Sequence, residues 1–148
     1  PLLDIKNFKD SYDLVVVDAG GRNHDTYRSA ILASEDGILL IPLLPSVYDI
    51  WATEDTFKTL EQIKMMININ AYTVFNQVMS NTIIAKDALE ALEEITKENR
   101  IKMLENYVSI RQDFKKSISE GLGVVEYAPT GKASKEIQNL YQEILSKL

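Results

Sequence analysis

The spacing of apolar residues changes several times along the chain. Strand-like apolar segments occupy residues 14–17, 37–41, 71–78 and 101–104, with a brief extended piece at 124–125. Apolar residues recur at helical spacing over residues 24–34, 46–66, 83–96, 112–120 and 131–148. Unbroken apolar runs are typical of strands buried on both faces of a parallel sheet. Because strands alternate with amphipathic helices, we predict an α/β fold, doubly wound, with a mainly parallel sheet and helices on both faces.

Individual residues mark the expected ends of these elements. Pro42 and Pro45 are expected to end the second strand, and Ser46 with Asp49 resembles a capping box that begins a long helix reaching residue 66. Gly121 follows the 112–120 helix, where a left-handed C-cap is cheap for glycine.

Composition narrows the class of protein. With 148 residues, of which 45% are hydrophobic, the chain suits one domain with a real core. A net charge of −6 argues against a surface built throughout for nucleic acid, so any DNA binding is regional. The absence of cysteine excludes disulfides, zinc-thiolate sites and cysteine nucleophiles. No apolar run reaches the ~20 residues of a membrane span, and no signal pattern opens the chain, so we expect a soluble cytoplasmic protein with no membrane partner.

The first apolar run ends at an acid. Asp18 follows residues 14–17 directly, and Ala19, Gly20 and Gly21 come next. Ligands of open α/β sheets bind outside the carboxyl ends of the strands, so this arrangement suits a Mg²⁺-phosphate site of Walker B type. The same residues suit equally well a turn in which Asp18 caps the following helix.

Four sequence blocks occur in a familiar order. They read YDLVVVDAGGR, AILASEDGILLIPLLPSVYDIWA, VFNQV and SEGLGVVEYAPTGKASKEI. In combination they resemble the ParA family of deviant Walker-motif partition ATPases, relatives of MinD, over nearly the whole chain from residue 11 to residue 148.

The resemblance implies roles for particular residues. Asp18 matches the Walker B acid that orders Mg²⁺, and Gly20 and Gly21 match a switch-like turn beside the γ-phosphate, with Gly20 where many members have proline. Asn76 matches an asparagine that reads adenine, although a strand-end asparagine also commonly satisfies its own turn. Arg111, in a loop that packs near the base in relatives, is a candidate for contact with nucleotide, a partner subunit or DNA, or for capping a helix.

One expected motif is missing from the sequence. The family's glycine-rich phosphate loop carries G-K-[ST], and the only Gly-Lys pair here, Gly131-Lys132, is followed by Ala133. The chain also begins at Pro1 without an initiator Met. We therefore expect residues 1–148 to form a single domain that is the C-terminal part of a ParA-like ATPase domain.

The function implied by the resemblance is that of an ATPase in plasmid or chromosome partition. Such a protein binds ATP and Mg²⁺, dimerises with ATP, binds DNA non-specifically at the nucleoid, and is stimulated by a ParB-like centromere-binding protein. The long helix carries three aromatic residues, Tyr48, Trp51 and Phe57. Those that are exposed would then meet a second subunit, whereas packing in the core is the plainer use of an apolar stripe at helical spacing.

Two other interpretations remain open. The first is a relative without a phosphate loop that acts as a binding or regulatory module; the second is a different α/β phosphate-binding protein. A cluster of basic residues would serve DNA binding in the first case, although interleaved acids make a solvated face the plainer reading. The cluster comprises Arg100, Lys102, Arg111, Lys115 and Lys116.

Overall fold

A computed structural model describes residues 7–8, 11–19, 24–79, 82–98 and 101–148. The helices are α1 His24–Ala33, α2 Val47–Ala52, α3 Glu54–Lys64, α4 Ile83–Glu98, α5 Gln112–Ser119, α6 Val124–Tyr127 and α7 Lys132–Leu145. The strands are β1 Ile38–Leu43, β2 Asn70–Phe75 and β3 Lys102–Met103. Among the described residues, no helix has both the length and the apolar character to cross a membrane.

The three strands form one parallel sheet in the order β1-β2-β3. The central strand β2 pairs along its whole length with β1, from Ile38 opposite Asn70 to Leu43 opposite Phe75. On its other side Tyr72 lies opposite Lys102. All residues of β2 after Asn70 are buried, as a strand covered on both faces requires.

Each face of the sheet has its own apolar core. Ala71 and Phe75 of β2 point to one face, where buried side chains of α1, α2, α3 and α4 pack. Tyr72 and Val74 point to the other face, where Leu140 of α7 packs. The alternation follows from the two-residue period of a strand. Helices on both faces of a parallel sheet confirm the predicted α/β class.

The prediction of a buried strand at residues 14–17 is wrong for this structure. These residues form no strand, and Val16 is 83% exposed, with Leu14 and Val17 also exposed. A parallel strand is buried only when a neighbouring strand pairs with it and a further layer covers it. Among the described residues, β1 pairs with β2 alone and offers no second strand to this apolar run.

The strand β1 does not end at Pro42, as was expected, but runs to Leu43. Leu43 accepts a hydrogen bond from the Asn76 amide at 2.8 Å, so its backbone faces β2. Pro42, one residue earlier, turns its backbone nitrogen to the opposite edge. A proline is tolerated on an edge strand where no donor is needed, and Pro42 is accordingly exposed.

The predicted helix over residues 46–66 is two helices, α2 and α3, which meet at Thr53. The Thr53 hydroxyl donates to the Ile50 carbonyl at 2.6 Å, and the Thr53 amide bonds the same carbonyl at 3.0 Å. These bonds end the first helix at Thr53, because the threonine side chain competes with the regular helical ladder for the Ile50 carbonyl. Ser46 is the N-cap by position, but its side chain makes no capping hydrogen bond.

The segment at residues 124–125 is helical rather than extended. The Glu126 carboxylate accepts a hydrogen bond from the Gly123 amide at 2.8 Å, and the Tyr127 amide donates to the Gly123 carbonyl. This local capping outweighs the strand preference of two adjacent valines. The preceding turn agrees with the sequence prediction, since Gly121 follows α5 with φ of +69°.

Candidate functional site

The carboxyl ends of the three parallel strands lie at one edge of the sheet. Three segments leave from this edge, at residues 44–46, 76–79 and 104–111. The last of these, which joins β3 to α5, is called the β3–α5 loop below. Ligands of open α/β sheets bind outside this edge, so a ligand site is expected here.

The β3–α5 loop runs beside β2 and its extension. The amide of Leu104 donates to the Thr73 carbonyl at 2.9 Å, and the amide of Val108 donates to the Phe75 carbonyl at 3.0 Å. Farther along, the Ile110 amide donates to the Val78 carbonyl, and Val78 and Ser109 form an isolated parallel bridge. The loop therefore forms a wall next to the residues that follow β2.

Two carboxylates of α7 hold the other side of this loop. Glu143 accepts from the amides of Glu105 at 2.8 Å and Asn106 at 2.9 Å, and from the Asn106 side chain at 2.8 Å. Glu136 accepts from the Ser109 amide at 3.0 Å and from the Ser109 hydroxyl at 2.9 Å. The backbone amides of Glu105, Asn106 and Ser109 thus find acceptors on α7.

The surroundings of both carboxylates lower their pKa. Burial alone raises the pKa of Glu136, but hydrogen bonds from Arg111 and Ser109 outweigh it. Burial also raises the pKa of Glu143, and the amides of Glu105 and Asn106 outweigh it there. Both groups are therefore held as carboxylates, the form that accepts these hydrogen bonds.

Asn76 follows β2 directly and is half-buried at the sheet edge. Its side-chain oxygen accepts a hydrogen bond from the Gln77 amide at 2.9 Å, and Gln77 has φ of +58°. The asparagine thus satisfies its own turn, as the plainer interpretation of the sequence expected. Its side-chain NH₂ has no acceptor among the described residues, so a donor and the second lone pair of the oxygen remain for a ligand.

Arg111 is the last residue of the β3–α5 loop and forms an ion pair with Glu136 of α7. Its Nε donates to Glu136 at 3.0 Å, its Nη2 contacts the same oxygen, and the arginine side chain is 29% exposed. The hydrogen bond to Glu136 raises the pKa of Arg111 above its usual range. By backbone position Arg111 is the N-cap of α5, but its side chain makes no capping bond. Neutralisation by Glu136 weakens its case for DNA contact.

The structure brings Asn76 and Arg111 to adjoining segments and does not bring Asp18 to them. Asp18 is exposed, follows no strand, and makes no hydrogen bond or ion pair within the described part of the chain. Gly20 and Gly21 lie outside the described residues. The basic cluster is divided between elements, because Lys102 lies on β3 while Lys115 and Lys116 lie on α5. Arg100 also lies outside the described residues.

The fit of ATP and Mg²⁺ differs between the two ends of the nucleotide. Asn76 and the β3–α5 loop offer a polar edge and a wall that suit a base. Within the described ranges, no three acids or histidines converge on a metal position. Asp18 is a single carboxylate, which holds Mg²⁺ only together with phosphate oxygens and water. The described residues thus offer a hydrogen-bonding side chain at this edge, and they do not by themselves form a phosphate and metal site.

Sequence reasoning missed the two glutamates of α7. Glu136 and Glu143 contact residues 25 to 38 positions earlier in the chain, which no local motif reveals. One signal was present in the sequence. The two acids are seven residues apart, which places them two turns apart on one face of a helix.

Two aromatic side chains of α2 stand exposed at the same edge of the sheet as the loop. Tyr48 is 79% and Trp51 57% exposed, and their rings meet edge to face with centroids 5.8 Å apart. Phe57 of α3, the third member of the predicted aromatic set, is fully buried in the core. Core packing therefore accounts for Phe57 only.

Comparison with known proteins gives distant similarity to two of them. The chain is 26% identical over 147 residues to "Maintenance of carboxysome distribution protein A" of Halothiobacillus neapolitanus, covering 98% of this chain and 66% of that protein. It is 28% identical over an alignment of 149 residues to "Cell division protein PomZ" of Myxococcus xanthus, covering 97% of this chain and 44% of that protein. No family model matches the chain.

These similarities extend along almost the whole chain but span less than two thirds of either relative. The names of the two relatives concern carboxysome distribution and cell division. At this coarse level they support the ParA/MinD resemblance and a role in intracellular positioning or partition.

Proposed function

We propose that this chain carries the base-binding side of the ATP site of a ParA-type ATPase. The observation that carries the proposal is the position of Asn76 at the carboxyl edge of a parallel sheet, between Phe75 and Val78, whose backbones hydrogen-bond the β3–α5 loop. Asn76 keeps an unused side-chain donor there, and the loop is fixed beside it through Val78 and Ser109. The matching sequence blocks and the two distant relatives support the same family.

In the intact protein, the phosphate loop and Asp18 would complete the site, with Gly20 and Gly21 beside the γ-phosphate. Bound Mg²⁺ would supply charge neutralisation at the phosphates. ATP binding would favour a homodimer that binds DNA non-specifically, and a ParB-like partner would stimulate hydrolysis.

Asn76 variants of the full-length protein test the base site. Asn76→Asp keeps the oxygen that accepts from Gln77 but removes the NH₂ donor, so the turn survives while the base loses a hydrogen bond. We expect ATP affinity to fall about tenfold, the effect of losing ~1.4 kcal/mol, with the preference for ATP over GTP reduced.

Asn139→Ala is the matched control, because Asn139 is exposed on α7 and its side chain makes no hydrogen bond in the described structure. Its ATP affinity should equal that of the unmodified protein. Unchanged ATP affinity and selectivity in Asn76→Asp would refute the base assignment.

Asp18→Ala tests the enzymatic part of the proposal. If Asp18 helps hold Mg²⁺, this variant of the full-length protein loses Mg²⁺-dependent ATP hydrolysis while keeping the fold, because Asp18 has no partner to lose within the described residues. Hydrolysis at the unmodified rate would remove Asp18 from the site.

A binding or regulatory module is the second candidate function, favoured by the exposed Tyr48–Trp51 pair. Aromatic side chains are enriched where proteins contact partners. This alternative predicts partner binding that does not depend on ATP. Failure of the full-length protein to bind ATP, together with such binding, would select it.

A further inference from the structure

The β3–α5 loop is held from two sides by different kinds of acceptor. Its amides at residues 104, 108 and 110 donate to backbone carbonyls of the β2 segment. Its amides at residues 105, 106 and 109 donate to side-chain carboxylates of α7. The loop thus resembles a short edge strand whose outer neighbour has been replaced by two glutamates.

We propose that Glu136 and Glu143 are positioning residues that hold the β3–α5 loop against β2 and so fix the wall of the site beside Asn76. The inference rests on the proposed function for its effect on nucleotide, and on the described contacts for the effect on the loop. Neither glutamate is assigned a contact with nucleotide.

The geometry explains why two carboxylates do this. The carbonyls of a helix are used within the helix, so only side chains extend acceptors to a neighbouring segment. Seven residues of α-helix rise ~10.5 Å, and three to four residues of extended chain span ~10–13 Å. Glu143 and Glu136 therefore match the separation between residues 105–106 and residue 109.

Glu136 carries a second interaction that must be separated from the first. One of its oxygens accepts from the Ser109 hydroxyl and from Arg111, while the other accepts from the Ser109 amide. Its side chain is only 18% exposed, so water replaces these bonds poorly. If the ion pair with Arg111 were its whole role, removing Arg111 would have the same effect as neutralising Glu136.

Amide hydrogen exchange on the full-length protein tests the loop directly. Glu136→Gln keeps the shape of the side chain and removes its charge. We expect the Ser109 amide to exchange roughly tenfold faster or more, and Glu143→Gln to do the same for residues 105 and 106. Arg111→Gln should have a smaller effect on Ser109 than Glu136→Gln has.

Glu90→Gln is the control for loss of an acidic charge, because Glu90 is exposed on α4 and has no hydrogen bond or ion pair among the described residues. In Glu90→Gln, the amides of the β3–α5 loop should exchange at the same rate as in the unmodified protein. The inference is overturned if loop exchange is unchanged in the Glu136 and Glu143 variants, or if exchange rises equally throughout the chain.

Nucleotide affinity separates a positioning role in the site from a purely structural role. A purely structural role would not change the affinity for ATP without also changing the affinity for other ligands. In Glu136→Gln, ATP affinity should fall roughly tenfold while affinity for inorganic tripolyphosphate stays unchanged, because only the base meets the loop. Equal ATP affinity in variant and unmodified protein would contradict the positioning role. If the unmodified protein binds no ATP, the proposed function fails, and the exchange experiment still decides whether the glutamates hold the loop.

Discussion

Glu136 and Glu143 combine partial burial with a large number of accepted hydrogen bonds. Each carboxylate receives backbone donors from the β3–α5 loop, and Glu136 also receives the Arg111 guanidinium. Bonds to an ionised acceptor are stronger than neutral ones, and an amide left without its acceptor would carry a desolvation cost. The two side chains therefore link α7 to the sheet edge more firmly than apolar packing alone.

The double variant Glu136→Gln/Glu143→Gln should show this link in its pH dependence. Because folding lowers both pKa values below 4.5, their stabilisation is present above that value and is lost as pH falls through the folded pKa. We expect a loss of ~1–3 kcal/mol at pH 7, narrowing progressively below about pH 4.5. Urea unfolding across pH measures it.

The groups that face these carboxylates bear on that measurement. Arg111 lowers the pKa of Glu136, and Lys147 lowers the pKa of Glu143. Asp113 and Tyr107 in turn raise the pKa of Arg111. Since the glutamines cannot ionise, the difference from the unmodified protein isolates the two glutamates. A difference that stays constant from pH 7 to pH 3 would contradict the assigned shifts.

At the scale of elements, the sequence predicts most helices and strands because their apolar periodicity reflects burial. Helices α1, α4, α5 and α7 and strand β2 lie close to their predicted positions. The failures come from interactions that periodicity does not encode. Residues 14–17 have no strand to pair with among the described residues. The Thr53 hydroxyl ends α2 before the predicted helix end. The Glu126 carboxylate caps a short helix where two adjacent valines predict an extended segment.

The candidate site is predictable to the same extent. Asn76 directly follows the strand at the end where the sequence placed it, and Arg111 is the N-cap residue that precedes α5. The use of Glu136 was hidden, because its partners Ser109 and Arg111 are brought to it by the fold and not by adjacency in the chain. The roles of these residues toward nucleotide stay predictions.

The turn after α5 offers a test at the scale of one element. Gly121 has φ of +69°, and a Cβ added there would meet no atom within 4 Å. Gly121→Ala should therefore cost ~1 kcal/mol through backbone strain alone, while Gly121→Asn should cost less because asparagine tolerates this conformation better. Thermal unfolding compares the two, and equal stability of alanine and glycine at this position would contradict the assigned strain.

At the scale of the whole molecule, the described structure has one well-packed parallel sheet with an apolar core on each face. The helices cover both faces of β2, while the residues expected around the phosphates are either exposed, as Asp18 is, or outside the described ranges, as Gly20 and Gly21 are. Under the proposed function, the described sheet edge supplies only the base side of the site, so the activity tests use the full-length protein.

Assembly of the intact protein tests the exposed aromatic pair. If Tyr48 and Trp51 meet a second copy in the ATP state, Trp51→Ala should weaken the ATP-dependent dimer by about tenfold or more, as expected for a buried aromatic at an interface. Sedimentation with and without ATP measures this. A Phe57 variant cannot serve as the control, because Phe57 is fully buried in the core. The control is Tyr141→Ala, because Tyr141 is an exposed aromatic residue on α7.

In the proposed site, the adenine base lies between Asn76 and the β3–α5 loop. Photo-crosslinking of the full-length protein with 8-azido-ATP, followed by peptide mapping, identifies the segments that contact the base. We expect labelled peptides that contain residues 76–79 or 104–111, with labelling suppressed by excess ATP and reduced in Asn76→Asp. ATP-suppressible labelling confined to other parts of the chain, or no such labelling, would contradict this placement of the base.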